Sequence, residues 1–217
     1  MPDSWIDFVP TLLEGAKITL TIALFATLLA VIAAFISGLM QLSRLRPIRW
    51  ISSVYVEVFR GTSLLVQLFW LYFALPFAGL ELPKLLAAVL AVGLNYGAYG
   101  SEVVRSAILA VPKGQWEAAV ALNMKRRQRM VNIILPQAAL RMLPPFGNLL
   151  VELIKSTSLV YFITMADLTY QAMVLRNNYI SWTPEILVLL LLMYLAITSL
   201  VTLGVRVWER KWTEGRM

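Results

Sequence analysis

The chain has 217 residues, 59% of them hydrophobic and 14% charged, with a mean hydropathy of +0.74. A soluble domain runs about 45–50% apolar and about 25% charged, and a fold of this size has too much surface to cover with so few charges, which excludes a soluble globule and disorder alike. Cys and His are both absent, so there is no disulfide framework, no thiolate metal site, no Ser-His-Asp or Cys-His nucleophile and no imidazole relay; no glycine opens a GxxxxGK[ST] phosphate loop. What remains is an all-α integral membrane protein whose energy source lies elsewhere. The net charge of +7 comes from 19 Lys and Arg against 12 Asp and Glu. Its location, not its total, decides what it means.

A crossing helix needs about 20 mostly apolar residues, and five stretches supply them. The first covers about 18–42 (ITLTIALFATLLAVIAAFISGLMQL). Ahead of it stand Asp3, Asp7 and Glu14 with no Lys or Arg, the wrong charge for the leading segment of a signal peptide, so this span is expected to stay in the mature protein. The second, about 53–78, is polar where it begins. The third covers about 85–109, the fourth about 138–165 and the fifth about 184–207. Gly93, Gly97 and Gly100 suit close helix packing, within the chain or with a partner subunit. Gln67, Tyr72 and Asn95 suit either a pathway lining or satisfied polar groups.

Five spans place the termini on opposite sides. Arg44, Arg46 and Arg49 lie in the first connection; Lys113, Lys125, Arg126, Arg127 and Arg129 lie in 111–136; Arg206, Arg210, Lys211 and Arg216 lie in the tail. The opposite segments hold Lys17, Lys84 and Arg176. Twelve of the nineteen basic residues therefore share one side, which predicts an outer N-terminus and a cytoplasmic C-terminus. Trp50, Trp208 and Trp212 then flank inner ends and Trp5 and Trp182 outer ends, as interfacial anchors do. The basic pI records orientation, not nucleic-acid binding.

The longest cytoplasmic connection, 110–137, reads AVPKGQWEAAVALNMKRRQRMVNIILPQ. Pro112 and Gly114 end the preceding helix, Gln115 to Leu122 reads as a short helix, Asn123 suits the left-handed residue that ends one, and a basic helix follows up to a break at Pro136. Periodicity alone leaves two readings: an amphipathic hairpin on anionic lipid, or a docking site for a soluble partner.

The pattern Glu117-Ala118-Ala119, position 123, Ile133 and Leu135-Pro136 resembles the EAA loop (EAA-x3-G-x9-I-x-LP) of ATP-binding-cassette importer permeases, with Asn123 where the family has Gly. Phe59-Arg60-Gly61-Thr62-Ser63-Leu64-Leu65-Val66-Gln67 resembles the FRGTPLLVQ segment of the polar amino-acid permeases in that family, Ser63 replacing Pro. Ala98-Tyr99 with Glu102 and Arg105, then Gly114-Gln115 before Glu117, and Lys155-Ser156-Thr157-Ser158-Leu159 are similar to the same subfamily. The resemblance implies the type I ABC importer permease fold in a bacterial inner membrane. It implies a dimer, of two copies or with a sister permease, an ATPase subunit dimer that uses ATP and Mg, and a solute-binding protein. The chain itself would be non-catalytic and bind no cofactor. The loop would be a coupling helix: Glu117 as the charged contact, Ala118 and Ala119 allowing close approach, Trp116 and Leu122 as buried anchors.

Three Glu-x-x-Arg/Lys pairs lie within the spans, at a spacing that puts both members on one helix face. Glu57/Arg60 and Glu102/Arg105 fall in the cytoplasmic third and read as structural or gating pairs. Glu152/Lys155 falls deeper. One cation and one anion there suit the two charges of an amino acid, with Ser156 and Ser158 adding hydroxyls; a mutual salt bridge at a permease interface suits them equally. Asp167 suits selection of a cationic substrate or a helix cap. The rival class is an ion-gradient-driven secondary transporter or channel using the same intramembrane charges.

Overall fold

The computed structural model describes residues 4–213, with side chains described as far as Lys211. Asp3, Glu214 and Arg216, and the side chain of Trp212, lie outside the described residues. Among these the fold is all-helical. After a short 3-10 turn (Trp5–Phe8) come α1 (Val9–Gln41), α2 (Arg46–Gly61) and α3 (Leu64–Phe69), which continues through a π turn (Trp70–Ala74) and a 3-10 turn (Leu75–Ala78). Next are α4 (Lys84–Leu109), α5 (Lys113–Ala121) and α6 (Arg126–Arg129), which runs through a second π turn (Met130–Ile134) into α7 (Leu135–Ser156). A 3-10 stretch (Thr157–Ile163), α8 (Leu168–Asn178) and α9 (Thr183–Thr213) complete the described part.

Among the described residues three helical runs are long and apolar enough to cross a membrane: Trp5–Gln41, Arg126–Ile163 and Ile180–Lys211. The pair Arg46–Gly61 and Leu64–Ala78, bent by 104°, makes a fourth if counted as one. The α4 helix has the length, about 39 Å at 1.5 Å per residue, but not the apolarity. It is the centre of the bundle. Its buried side is built of Ala87, Ala88, Ala91, Val92, Asn95, Ala98, Ser101 and Val104, and small and polar residues that would be wasted on lipid are what close packing requires.

The main partner of α4 is α1. The buried positions of α1 are mostly small and recur at helical spacing (Ala16, Thr19, Ala23, Ala26, Ala30, Ala34, Ser37, Gly38), so the two backbones come close along parallel paths. A Cβ on Gly97 would lie 2.7 Å from Ala33 Cβ, and one on Gly100 2.8 Å from Ala34 Cβ. The glycines of α4 thus serve packing inside the chain.

The stretch 53–78, expected as one span, is broken at Gly61–Ser63. The break leaves carbonyls of the last turn of α2 without helical donors. Two amides replace them: Gln67 Nε2 donates to Phe59 O (2.9 Å) and Thr62 Oγ1 (2.7 Å), and Asn95 Nδ2 donates to Phe59 O (2.9 Å) and Gln67 Oε1 (3.2 Å). A broken helix at membrane depth is tolerable when its freed groups are satisfied in this way. The break expected at Pro136 is absent instead: the helix continues from Arg126 to Ile163 through the π turn. Both π turns end two residues before a proline, Pro76 and Pro136. A proline ring clashes with the carbonyl four residues back, and a widened turn relieves that clash without ending the helix.

Candidate functional site

At the end of the bundle where α1 and α4 finish, α5 is bolted to the core on one side and bare on the other. Ala119 is 2% exposed, and Trp116 packs on the cluster formed by Ala34, Val104, Ile108, Ile134 and Ala138. Gln137 Nε2 donates to Gln115 Oε1 (3.1 Å), and the Arg141 guanidinium donates to Ala110 O, tying the hairpin to α7. Asn123 ends the helix at φ 57°, with its N–H donating to Val120 O (2.9 Å) and that of Met124 to Ala119 O (3.1 Å), the paired bonds of a helix terminus that usually carries Gly. The opposite face exposes Gly114, Gln115, Glu117, Ala118, Val120 and Leu122, the last 74% exposed. Trp116, expected as an anchor for a partner, is turned into its own core. Leu135 is half-buried and Pro136 exposed at the start of α7. The nine-residue helix is thus fastened to the ends of α4 and α7.

The second feature is a polar cleft of about 380 Å³ between α7 and α9. Asn148, Glu152 and Lys155 line it from α7, and Thr202, Arg206 and Glu209 from α9. Both sets are spaced i, i+4, i+7 and so form one stripe on each helix. The helices cross closely at its floor, where a Cβ on Gly147 would collide with Val205. Arg206 and Glu209 were counted with the tail in the sequence; a polar stripe at 202, 206 and 209 in an apolar helix is the signal that could have found them. Two cations and two anions around one space can hold a small zwitterion by charge-assisted hydrogen bonds.

The other candidates lie elsewhere. Ser156 Oγ is 2.5 Å from Tyr96 OH, Ser158 donates to Lys155 O (2.8 Å), and Gln67 holds the broken helix. Asp167 is fully buried at the start of α8, where its Oδ1 accepts the Tyr170 N–H (2.9 Å). Of the three expected ion pairs, Glu102–Arg105 forms, at 2.9 Å. Glu57/Arg60 does not close, a correction to its reading as a pair: Arg60 lies instead over the Tyr99 ring at 5.2 Å. Glu152 and Lys155, read equally as a mutual bridge or as contacts for substrate, do not bridge within this chain and both line the cleft. Gln41 Nε2 donates to Ser101 Oγ (3.3 Å) beside the surviving pair, linking α1 to α4. Among the described residues no group of acidic side chains is placed to hold a metal.

A helical bundle with a broken membrane-depth helix, a rigid exposed hairpin and a charged cleft is the build of a transporter's membrane subunit. The family model of the binding-protein-dependent transport system inner membrane component matches residues 11–214, and the chain belongs to that family. It is 43% identical to the probable amino-acid ABC transporter permease protein y4tF of Sinorhizobium fredii, over 98% of this chain and 91% of the relative. It is 38% identical to the L-cystine transport system permease protein TcyB of Bacillus subtilis (94% and 88%) and 36% identical to the glutamine transport system permease protein GlnP of Escherichia coli (94% and 93%). A crystal structure of an amino acid ABC transporter with histidines superposes with a TM-score of 0.89 at 32% identity, covering 97% of this chain and all of that one. The MetNI methionine transporter shares the fold, with a TM-score of 0.79 at 18% identity over 97% and 99%. The resemblance read from positions 59–159 is borne out: the chain is an ABC importer permease.

Proposed function

We propose that this permease carries polar or charged amino acids, or related zwitterions, into the bacterial cytoplasm as half of a permease dimer. It crosses the inner membrane five times, with α1, the broken α2–α3 pair, α4, the run Arg126–Ile163 and α9, and its N-terminus is outside. The 26-residue length of α4 and the one-sided basic residues support that count. A solute-binding protein delivers substrate outside, and a pair of ATPase subunits, using ATP and Mg, docks on the exposed face of α5. Amino-acid relatives and the charged α7–α9 cleft support the substrate class. The single observation that carries the reading is the hairpin: one face locked to α4 and α7, the other presenting Glu117 between Gln115 and Leu122 with no partner of its own among the described residues.

Glu117→Lys reverses the charge on that face without touching the core. The variant should insert and fold normally, lose the co-purifying ATPase, and lose uptake by at least about tenfold, the scale of one charge-assisted contact. Uptake at the normal rate, or uptake that collapses with the proton gradient while ATP is plentiful, would overturn the proposal.

A further inference from the structure

The helical run Arg126–Ile163 does not end as a relaxed helix. Over Thr157–Ile163 it tightens into a 3-10 stretch of seven residues, where runs beyond three or four are uncommon. Thr164 closes it at φ 56°, left-handed backbone that a β-branched residue enters only under strain. Such a conformation persists where its surroundings over-determine it. Two attachments do so here. One is buried: Asp167 caps α8, Leu168 N–H donates to Thr19 Oγ1 of α1 (3.1 Å), and Thr169 Oγ1 lies 3.0 Å from Tyr194 OH of α9.

The other attachment is exposed. Lys84, the first residue of α4, donates from Nζ to Thr164 O (3.1 Å) and Thr164 Oγ1 (2.7 Å). A cation in the first turn of a helix sits against the positive end of its dipole, and no acid in that turn offsets it. What Lys84 does in the structure is grip Thr164. At its other end the tightened stretch begins immediately after Lys155 and Ser156, so it connects this grip to the cleft.

We propose that Lys84 is a positioning residue for transport, holding Thr157–Ile163 in its tightened form and thereby setting where Lys155 stands in the cleft. Release of Thr164 lets the stretch relax toward α-helix. Seven residues passing from about 2.0 to about 1.5 Å rise, and from about 120° to about 100° per residue, shorten the segment by about 3.5 Å and turn it by about 140°. That motion is large enough to move Lys155 relative to Arg206 and Glu209. The proposal rests on the importer reading, and its test keeps the two separable.

The chain has no cysteine, so Ser158→Cys alone reports on the stretch. In the purified complex with its ATPase and binding protein, adding Lys84→Met should raise the rate at which a water-soluble maleimide labels that cysteine by about fivefold, the effect of one net hydrogen bond on a local opening equilibrium. The ratio of binding-protein-stimulated to basal ATP hydrolysis should fall as well, and Lys84→Arg should restore both. Adding Thr164→Gly to Lys84→Met, which removes the left-handed strain, should return labelling toward the wild-type rate. Unchanged labelling in Lys84→Met, or a double variant that labels as fast as Lys84→Met alone, overturns the proposal. Faster labelling in a chain that couples to no ATPase leaves the grip intact and overturns the importer reading instead.

Discussion

A carboxyl sealed from water must keep its proton or find partners for both oxygens. Asp167 does half of this: Oδ1 accepts the Tyr170 N–H and caps α8, while Oδ2 is buried with no hydrogen-bond partner. Burial pushes the group from the ordinary 3.8 up to about 6, with the Tyr170 N–H pulling back the other way. The folded state therefore binds this proton more tightly than the unfolded chain. The resulting stability is fully present below about pH 4 and is lost as pH rises through about 6, on the order of 2–3 kcal/mol in all. Asp167→Asn keeps a cap acceptor and removes the titration. Thermal unfolding in detergent from pH 4.5 to 7.5 should show a falling melting temperature for the wild type and a flatter profile for the variant; parallel profiles would mean that Asp167 does not set this dependence. The sequence offered a cap or a substrate selector at this position. The cap was legible in Asp167-Leu168-Thr169, but burial against Gly15 and Thr19, some 150 positions away, was not.

At the scale of elements, the α1–α4 seam follows from backbone approach. With lipid tails as apolar as side chains, close packing and satisfied polar groups hold these helices together. Gly97 has Ala33 Cβ, Tyr55 OH and Ala30 O within 3.3 Å of where a Cβ would stand, whereas Gly204 on α9 has nothing within 4 Å. Gly97→Val should cost about 1–3 kcal/mol by overpacking, a fall of several degrees in melting temperature for a chain of this size. Gly204→Ala should be neutral or slightly stabilising. Equal effects would mean that the seam is loose enough to absorb a branched side chain. The glycine spacing was readable, but whether its partner was in this chain or another was not, since α1 carries only a small-residue stripe that looks like lipid-facing filler. The break at Gly61–Ser63 was hidden for a related reason: its satisfying groups, Gln67 and Asn95, come from beyond the break and from another helix.

At the scale of the whole molecule, the two parts of the candidate site differed in legibility because they depend on sequence differently. The hairpin is contiguous, so its motif and its turn at Asn123 sit in one window of residues. The cleft is assembled from two stripes some fifty residues apart, and only half of it, Glu152 and Lys155, stood out as charges inside an apolar span. Arg206 and Glu209 sat where a basic tail begins and took their meaning from that neighbourhood. Once assembled, the cleft argues about its surroundings. Charged groups at membrane depth cost about 2.5–3.5 kcal/mol each if lipid surrounds them, so this face of α7 and α9 needs water, substrate or protein against it. In a permease dimer it would face the centre. Lys155→Met then separates two roles. If Lys155 holds the substrate carboxylate, the variant loses one charge-assisted contact of about 1.5–3 kcal/mol, and the substrate needed for half-maximal ATPase stimulation rises by about ten- to a hundredfold while basal hydrolysis persists. If Lys155 instead fastens two permeases together, basal and stimulated hydrolysis fall in step and the dimer dissociates in detergent at lower concentration. The first pattern is expected, because Glu152 and Lys155 leave each other unpaired and open to the cleft, where an incoming zwitterion can take both.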